Sequence, residues 1–566
     1  MPTISIFHQD FQQLLGQAAT VEDLDRWLSL AKGELKDHDP STGEIRIELQ
    51  DSNRPDLWCV EGITRQIRLS FDRPASSYPF FSSKQRPQRR LSVSPGMEKV
   101  RPFVAACTAT GYHMTEEGLA QFIQTQEKLA DIYGHKRKTV SIGLYRLAPI
   151  QFPVTYGLVK PQEAKFVPLG VDEKMTLSEI LNVHPKGIEY GSILATHQEF
   201  PLLWDKDGQV LSFPPIINSR DIGGVQVGDT EFLVEVTGLD LHMVLLTLNI
   251  FAVNLADRGA TIEPIEIVYS SPTALGKTLR TPMDFSQLHR VSIHSIESAL
   301  GQPLGADTIQ HALIKYGYEA KASRNKLAVR LPAYRNDLMH PIDVAEDVAI
   351  SRGYESFSPM MPAQFTVGSL SEIETISDYL RDLMVGFGFQ EMFSNILTSQ
   401  EEIVDRMQLT GTDLGRIVEV DNVMSLNFSC LRSWLIPSLL KVEGTSSRAF
   451  YPHRIFELGE VAIPDLGEEL GSRTLTKLAS LIAYPTASFS ELHTFLDLLL
   501  YYLVRDYSLK PTPHPSFLQG RVGKIMMGDS EVGIIGEIHP QVLDTWHIDM
   551  PVSVFELEVD AVLKRD

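Results

Sequence analysis

Four acidic side chains in one short stretch are the sharpest chemistry in this sequence of 566 residues. The stretch reads Tyr334-Arg-Asn-Asp337-Leu-Met-His-Pro-Ile-Asp343-Val-Ala-Glu346-Asp347. Pro341 suits the first turn of a helix. Asp343, Glu346 and Asp347 then fall at i, i+3 and i+4 on one face, and Asp337 in the preceding loop can fold back over them. Like charges at this spacing repel, and a hard divalent cation taking oxygen ligands would relieve the repulsion. An octahedral ion that keeps several waters makes magnesium the first expectation. The competing reading needs no metal: acidic residues favour a helix N-terminus, and Arg335 and Arg352 would serve as counter-ions. A magnesium phosphohydrolase finds little support, because no nucleophile or phosphate-binding lysine adjoins the four carboxylates.

The elements that must position this cluster form a compact unit over residues 290–362. Its expected parts are helices at 293–300 and 307–317, then the strand Lys326-Leu-Ala-Val-Arg-Leu, then the helix entered at Pro341. Upstream, residues 100–271 read as a sizeable mixed α and β domain. Strand-like runs there (Phe103-Val-Ala-Ala-Cys, Thr139-Val-Ser-Ile-Gly-Leu, Glu231-Phe-Leu-Val-Glu-Val-Thr) alternate with helices at 116–133 and from about 240. The stretch Ser271-Pro-Thr-Ala-Leu-Gly-Lys-Thr-Leu-Arg-Thr-Pro282 reads as a loop. Its Gly276-Lys-Thr278 is similar to the end of a P-loop, but Ser271 stands where the first glycine must be, so nucleotide binding is rejected.

The first 75 residues read as an α+β domain. An amphipathic stretch from Val21 precedes the alternating strand Glu44-Ile-Arg-Ile-Glu-Leu, and Asp51-Ser-Asn-Arg-Pro-Asp-Leu follows as a turn, with Asp51 or Asn53 capping local amides. Ser, Pro and Arg dominate from 74 to 95, so residues 76–99 are expected to be a linker. Its basic cluster, Lys84, Arg86, Arg89 and Arg90, is either solvated or touches RNA. Near residue 369, Ser369-Leu-Ser-Glu372 reads as a capping box. Ile373, Ile376, Leu380, Leu383 and Met384 then make one apolar stripe. Short strands follow to the end of a domain spanning 369–566.

Basic residues number 51 against 72 acidic ones, a net charge of −21. A whole-chain electrostatic grip on nucleic acid is therefore not expected, and RNA contact must be local or supplied by a partner. Cys59, Cys107 and Cys430 lie far apart without metal-ligand spacing, which points to buried thiols rather than disulfides or zinc. The apolar run 241–256 is interrupted by His242, Thr247, Asn249 and Asn254 and is shorter than a membrane span of roughly 20 residues. A soluble cytoplasmic protein without a membrane partner is the expectation.

Several segments together resemble the β subunit of phenylalanyl-tRNA synthetase. They are Asp51-x-Asn-Arg-Pro-Asp-Leu-x-x-Val-Glu-Gly-Ile63, Pro214-Pro-Ile-Ile-Asn218 with Val236-Thr-Gly-x-Asp240, and Pro332-x-x-Arg-x-Asp337 to Asp343-x-x-Glu-Asp347 with Arg352-Gly-Tyr354. Leu431-Arg-Ser-Trp-Leu-Ile-Pro-Ser-Leu-Leu440 and Arg454-Ile-Phe-Glu-Leu-Gly459 complete the set. They occur in the family's own order, and the length is similar to its short archaeal and eukaryotic form. The resemblance implies an α+β multidomain fold: an N-terminal domain, an editing-type (B3/B4-like) domain over 100–271, a small helical, winged-helix-like B5-type magnesium module over 280–362, and a class II synthetase-like antiparallel-sheet core over 369–566.

It also implies a partner α subunit in an assembly of two α and two β, with ATP and magnesium used to attach phenylalanine to its tRNA. The adenylating centre would belong to α. This core lacks the usual Arg-x-Glu, since Arg432 is followed by Ser433 and Trp434, so it would be silent in aminoacylation. For Asp337, Asp343, Glu346 and Asp347 the resemblance implies a magnesium site, with Asp347 where Glu is commoner. It further implies hydrolysis of tyrosyl-tRNA, a sensible remedy because an apolar pocket rejects an added hydroxyl poorly. Leu203, Ser212, Glu235 and Thr237 are the editing candidates, with Glu235, where the family often has Asp, reading the tyrosine hydroxyl. Ser212 and Thr237 could equally be turn or capping residues. The alternative to a synthetase subunit is a non-enzymatic scaffold that keeps these folds only to bind a partner.

Overall fold

The computed structural model describes residues 2–50, 53–71, 77–83, 85–410, 417–423, 425–446 and 448–563. Asp51 and Lys84, singled out above, lie outside these. The chain forms two compact units, Met1–Met361 and Pro362–Asp566. Among the described residues no helix is long and apolar enough to cross a membrane.

The first unit starts with an antiparallel sheet in which Glu44–Leu49 lies between Thr3–Phe7 and Gly33–Asp39. The alternation of the central strand buries Ile45, Ile47 and Leu49 against helices His8–Leu15 and Val21–Leu28. Helix Val60–Ser70 follows, its N-terminus capped by Cys59, whose sulfur accepts from the Gly62 amide.

A ten-stranded sheet dominates this unit. Its path runs Ile217–Asn218, Val210–Phe213, Phe200–Trp204, Val154–Val159, Arg89–Val93, Thr261–Thr273, Phe103–Thr110, Glu231–Gly238 and Val140–Arg146, and Gly276–Thr281 pairs with Thr261–Thr273 as well. This corrects two sequence expectations. The supposed linker at 76–99 contains Arg89–Val93, which pairs in parallel with both Val154–Val159 and Thr261–Thr273. Its alternation is plain once seen, with Leu91 and Val93 buried, but the Ser- and Pro-rich flanks masked a strand of only five residues. Two members of the basic cluster are paired there, Arg89 with Glu263 and Arg90 with Glu266 on the adjacent strand. The supposed loop at 271–282 is the turn and return strand of a hairpin, so the domain does not end at 271.

Helix Leu241–Asp257 packs on the strands Phe103–Thr110 and Glu231–Gly238, and it is apolar because it is buried nearly all round. The polar residues that interrupt its sequence have structural work. Asn249 donates to the carbonyls of Met283 and Ala333, and Asn254 meets Arg65 and Cys59.

Within the same unit, helices Ile293–Leu300, Ala306–Lys315 and Pro341–Arg352 surround the three-stranded sheet Leu288–Ser292, Lys326–Arg330, Glu319–Ser323. The helix boundaries fall within two residues of those read from sequence. Val344 and Val348, one turn apart, join Leu313, Leu327 and Val329 in the core.

The second unit is built on a seven-stranded sheet in the order Gln390–Glu391, His453–Pro464, Ser472–Ala483, Val552–Glu558, Ser530–Ile538, Phe517–Met527, Ser508–Pro511, antiparallel except for its first pair. Period-two alternation splits the core: Leu478 and Ile482 face helices Glu372–Gly386 and Phe489–Tyr502, while Ala479 and Leu481 face helix Ile436–Thr445. The first of these helices is capped by Ser371, not Ser369: its hydroxyl accepts from the Glu374 amide.

Candidate functional site

Strands at the two ends of the large sheet's path approach one another around a cavity of about 170 Å3. Glu235 on Glu231–Gly238, Tyr145 on Val140–Arg146 and Ser212 on Val210–Phe213 line it, together with Gln126, Arg137 and Ser141. The Tyr145 hydroxyl lies 2.6 Å from Glu235 Oε2 and 2.9 Å from Ser212 Oγ. Burial pushes the Glu235 carboxyl up to about 7, against the opposing pull of the Tyr145 hydroxyl, the Arg101 guanidinium and Thr237. A carboxyl at this poise, in a wall of mixed polar and apolar side chains, can pair with a hydroxyl.

Of the four editing candidates, the structure brings Ser212 and Glu235 to the cavity. Leu203 pairs with Ser212 across the strands and is fully buried in the core, so it supports the wall without lining the space. Thr237 does not line it either. Its hydroxyl accepts from Arg101 Nε at 3.1 Å and bonds Ser141 Oγ at 2.9 Å. It thereby helps to fix a buried guanidinium, which burial lowers to about 10. Arg137 pins the Pro214-Pro-Ile turn through the carbonyls of Pro215 and Ile216.

Tyr145 was missed by sequence reading, although a signal for it exists. Gly143 faces Glu235 in register, and a Cβ there would stand 2.0 Å from the Tyr145 hydroxyl and 2.6 Å from Glu235 Oε2. A glycine inside a strand marks such a close approach.

In the carboxylate cluster each acidic side chain has its own partner. Pro341 does begin the helix, and a capping box forms between His340 and Asp343. Asp343 is committed to that box, accepting from the amides of Met339 and His340 at 2.8 and 2.6 Å. Glu346 pairs with Lys32 at 3.2 Å. Asp347 turns inward and accepts from Tyr318 Oη and Arg335 Nη2, at 2.6 and 2.7 Å. Asp337 takes a two-pronged bond from Arg335, at 3.0 and 2.7 Å. Burial would raise the Asp337 carboxyl, but Arg335 and Arg54 hold it well below the usual aspartate range.

Among the described residues no three His, Cys, Asp or Glu side chains meet as a metal-holding group. Each of the four carboxylates has a protein partner, and the Arg335 guanidinium lies between Asp337 and Asp347. Arg335 acts as the counter-ion considered above. Arg352 does not, lying instead over the Phe357 ring. Arg54, from the Asn-Arg-Pro-Asp segment, joins this network. It binds Asp56 at 2.8 Å through two nitrogens and lies on the Tyr316 ring, with Arg335 also near that ring.

Comparison with known proteins fits this architecture. Residues 358–559 match the phenylalanyl tRNA synthetase beta chain CLM domain, and residues 289–354 match the tRNA synthetase B5 domain. Over the whole chain it is 38% identical to the phenylalanine–tRNA ligase beta subunit of Borreliella afzelii (strain PKo), with 100% of both chains covered. The chain belongs to the phenylalanine–tRNA ligase β subunits. A second such subunit, from Borrelia hermsii (strain HS1 / DAH), is 37% identical over the same full extent. The crystal structure of an N-terminal fragment of the phenylalanyl-tRNA synthetase β subunit from Pyrococcus horikoshii is also similar. It shares 34% identity and a TM-score of 0.59, covering 62% of this chain and 100% of the fragment.

In the part of this family member that matches the CLM domain, the conspicuous charges are engaged internally. Arg432 is buried and donates to Glu457 at 2.6 Å, Ser394 Oγ at 2.7 Å and the Glu460 carbonyl at 2.9 Å. A cavity of about 680 Å3 lies over the sheet, with Trp434, Lys477 and Glu556 in its wall. Lys477 bonds Glu556 at 2.7 Å, and the other oxygen of Glu556 accepts the amides of Leu435 and Ile436 at the start of a helix.

Proposed function

We propose that this chain is the β subunit of a phenylalanine–tRNA ligase of the short archaeal and eukaryotic type, and that it carries the ligase's editing site. The archaeal fragment at 34% identity supports the subtype, while the full-length relatives named above are bacterial. On this reading the residues around 100–281 form an editing-type domain, residues 280–362 a B5-type winged-helix-like module, and the second unit a class II synthetase-like core. An α subunit binds ATP with magnesium and attaches phenylalanine to its tRNA, in a cytoplasmic assembly of two α and two β. The internal engagement of Arg432 supports a silent core here, since a guanidinium already committed to Glu457 is not available to clamp a phosphate.

The observation that carries the editing role is Glu235, with an ionisation near neutrality, on the wall of a cavity that Tyr145, Ser212, Phe213 and the Pro214-Pro-Ile turn also line. A tyrosyl hydroxyl can pair with the carboxylate oxygen that Tyr145 does not hold, whereas phenylalanine offers that oxygen no donor. Sites that bind a substrate hydroxyl reject analogues lacking it strongly. Magnesium serves ATP on the α subunit; in this chain Asp337 and Asp347 pair with Arg335 and Glu346 pairs with Lys32, while Asp343 accepts the amides that lead into the helix.

The test is co-purification with a phenylalanyl-tRNA synthetase α subunit, followed by assays of phenylalanylation and of tyrosyl-tRNA hydrolysis. A complex of two α and two β that charges tRNA and clears tyrosyl-tRNA, with clearance lost in Glu235→Ala, is the expected result. A chain that remains alone and inactive beside a compatible α subunit would favour the scaffold reading instead.

A further inference from the structure

We infer that Tyr145 is a positioning residue of the editing cavity, fixing the orientation and ionisation of Glu235 so that the site tells a tyrosyl from a phenylalanyl group. The inference rests on the editing reading above and adds to it a residue that sequence reasoning did not select.

Three observations carry it. Tyr145 is fully buried, yet its hydroxyl reaches the cavity wall and meets both Glu235 and Ser212. The hydroxyl is directed at two acceptors, Glu235 Oε2 and Ser212 Oγ, which share its one proton. The bond therefore ties Glu231–Gly238, at one end of the sheet's path, to Val210–Phe213 at the other. Finally, the backbone makes room for this contact alone: Gly143 is the residue opposite Glu235, and any side chain there would strike both partners.

The consequence follows from hydrogen-bond chemistry. Donation from Tyr145 favours the carboxylate form of Glu235, which is the form that accepts from an incoming phenol. It also occupies one carboxylate oxygen with the interaction that the substrate hydroxyl would make, which leaves the group held in a defined rotamer. The groups around Glu235 are Tyr145 and Ser141 from Val140–Arg146, Ser212 from Val210–Phe213 and Tyr156 from Val154–Val159, together with Arg101 and Thr237, and Arg137 and Lys186 line the same cavity. Arg101 is the cation whose field acts on Glu235. Without the Tyr145 hydroxyl, Glu235 loses the main interaction that opposes the effect of its burial. Its titration should move upward, so that near neutral pH the carboxyl is protonated and free to rotate.

The experiment uses the chain in complex with its α subunit. Hydrolysis of preformed tyrosyl-tRNA and phenylalanyl-tRNA is followed from pH 6 to 9 in wild type, Tyr145→Phe and Glu235→Gln. In Tyr145→Phe the pH midpoint should rise by about one unit, and tyrosyl preference at pH 7 should fall about tenfold, with recovery at pH 9. Glu235→Gln should show low preference at every pH. Recovery at high pH separates lost ionisation from a misfolded site, because a misfolded variant would not recover. If wild type clears tyrosyl-tRNA and Tyr145→Phe has the same midpoint and preference, or fails to recover at pH 9, the inference is overturned while the editing reading stands. If wild type clears neither substrate, the editing reading itself falls and takes the inference with it.

Discussion

Asp337 and Asp347 share one nitrogen: Arg335 Nη2 lies 2.7 Å from a carboxylate oxygen of each. Two acidic residues ten positions apart are thereby held together by a cation from the protein's own chain. Tyr318 closes the arrangement through Asp347, and Arg54 stands 3.9 Å from Asp337. The Asn-Arg-Pro-Asp segment near the N-terminus and the Arg-Asn-Asp segment 280 residues later thus meet in one buried network.

Arg335→Met should be among the most disruptive single changes in the first unit. It would leave two carboxylates without their main partner, and removing one member of a buried pair costs about 3–5 kcal/mol. Urea unfolding followed by far-ultraviolet circular dichroism measures this directly. The wild-type contribution has a defined pH sense. Asp337 is held below its unfolded value, so its stabilisation is present above about pH 4 and is lost as pH falls through the folded value. A wild-type unfolding midpoint that does not fall on acidification below pH 4 would count against this network.

Chelation provides a second check. With each of the four carboxylates already engaged, EDTA should leave the melting temperature of the purified chain unchanged, and added magnesium should not raise it. A magnesium-dependent rise that disappears in Asp343→Ala would establish the metal site. Asp343→Ala should otherwise cost about 1 kcal/mol, the usual value of a helix N-terminal cap.

Glu235→Gln should be stabilising, in a pH-dependent manner. The folded carboxyl titrates near 7 and the ordinary value is 4.5. A raised carboxyl binds its proton more tightly in the folded state, so wild-type stability declines as pH rises from about 4.5 to 7 and then levels off. The amide removes that loss, giving a gain of up to about 3 kcal/mol above pH 7 and none near pH 4. Melting curves of the two proteins at pH 4.5 and 8 make the comparison. An identical difference at both would show that Glu235 titrates normally.

Glu556→Ala tests the second unit. One carboxylate there serves Lys477 and two helix-start amides, so its loss strands three donors in a mostly buried setting. A loss of about 2–4 kcal/mol is expected, and Glu556→Gln should recover part of it by keeping an acceptor for the amides. Denaturant midpoints of the two variants decide the matter.

Much of this protein is written in local pattern. Pro341, the alternation of residues 44–49 and the stripe through Leu380 and Met384 set their elements, because a helix start, a strand and an amphipathic face need only neighbouring residues. The family is equally legible, carried by segments such as the Asn-Arg-Pro-Asp turn and the residues from Pro332 to Asp347. What the tertiary structure alone decided is which charges and hydroxyls meet. Sequence spacing put Asp343, Glu346 and Asp347 on one face, but helix rotation buried Asp347 on Arg335 and left Glu346 to Lys32, more than 300 residues away. The five-residue strand Arg89–Val93 was hidden because its partners lie 60 and 170 residues further on. Tyr145 was missed for the same reason: its role exists only because a sheet brings Gly143 beside Glu235 and curls until Ser212 comes within a hydrogen bond.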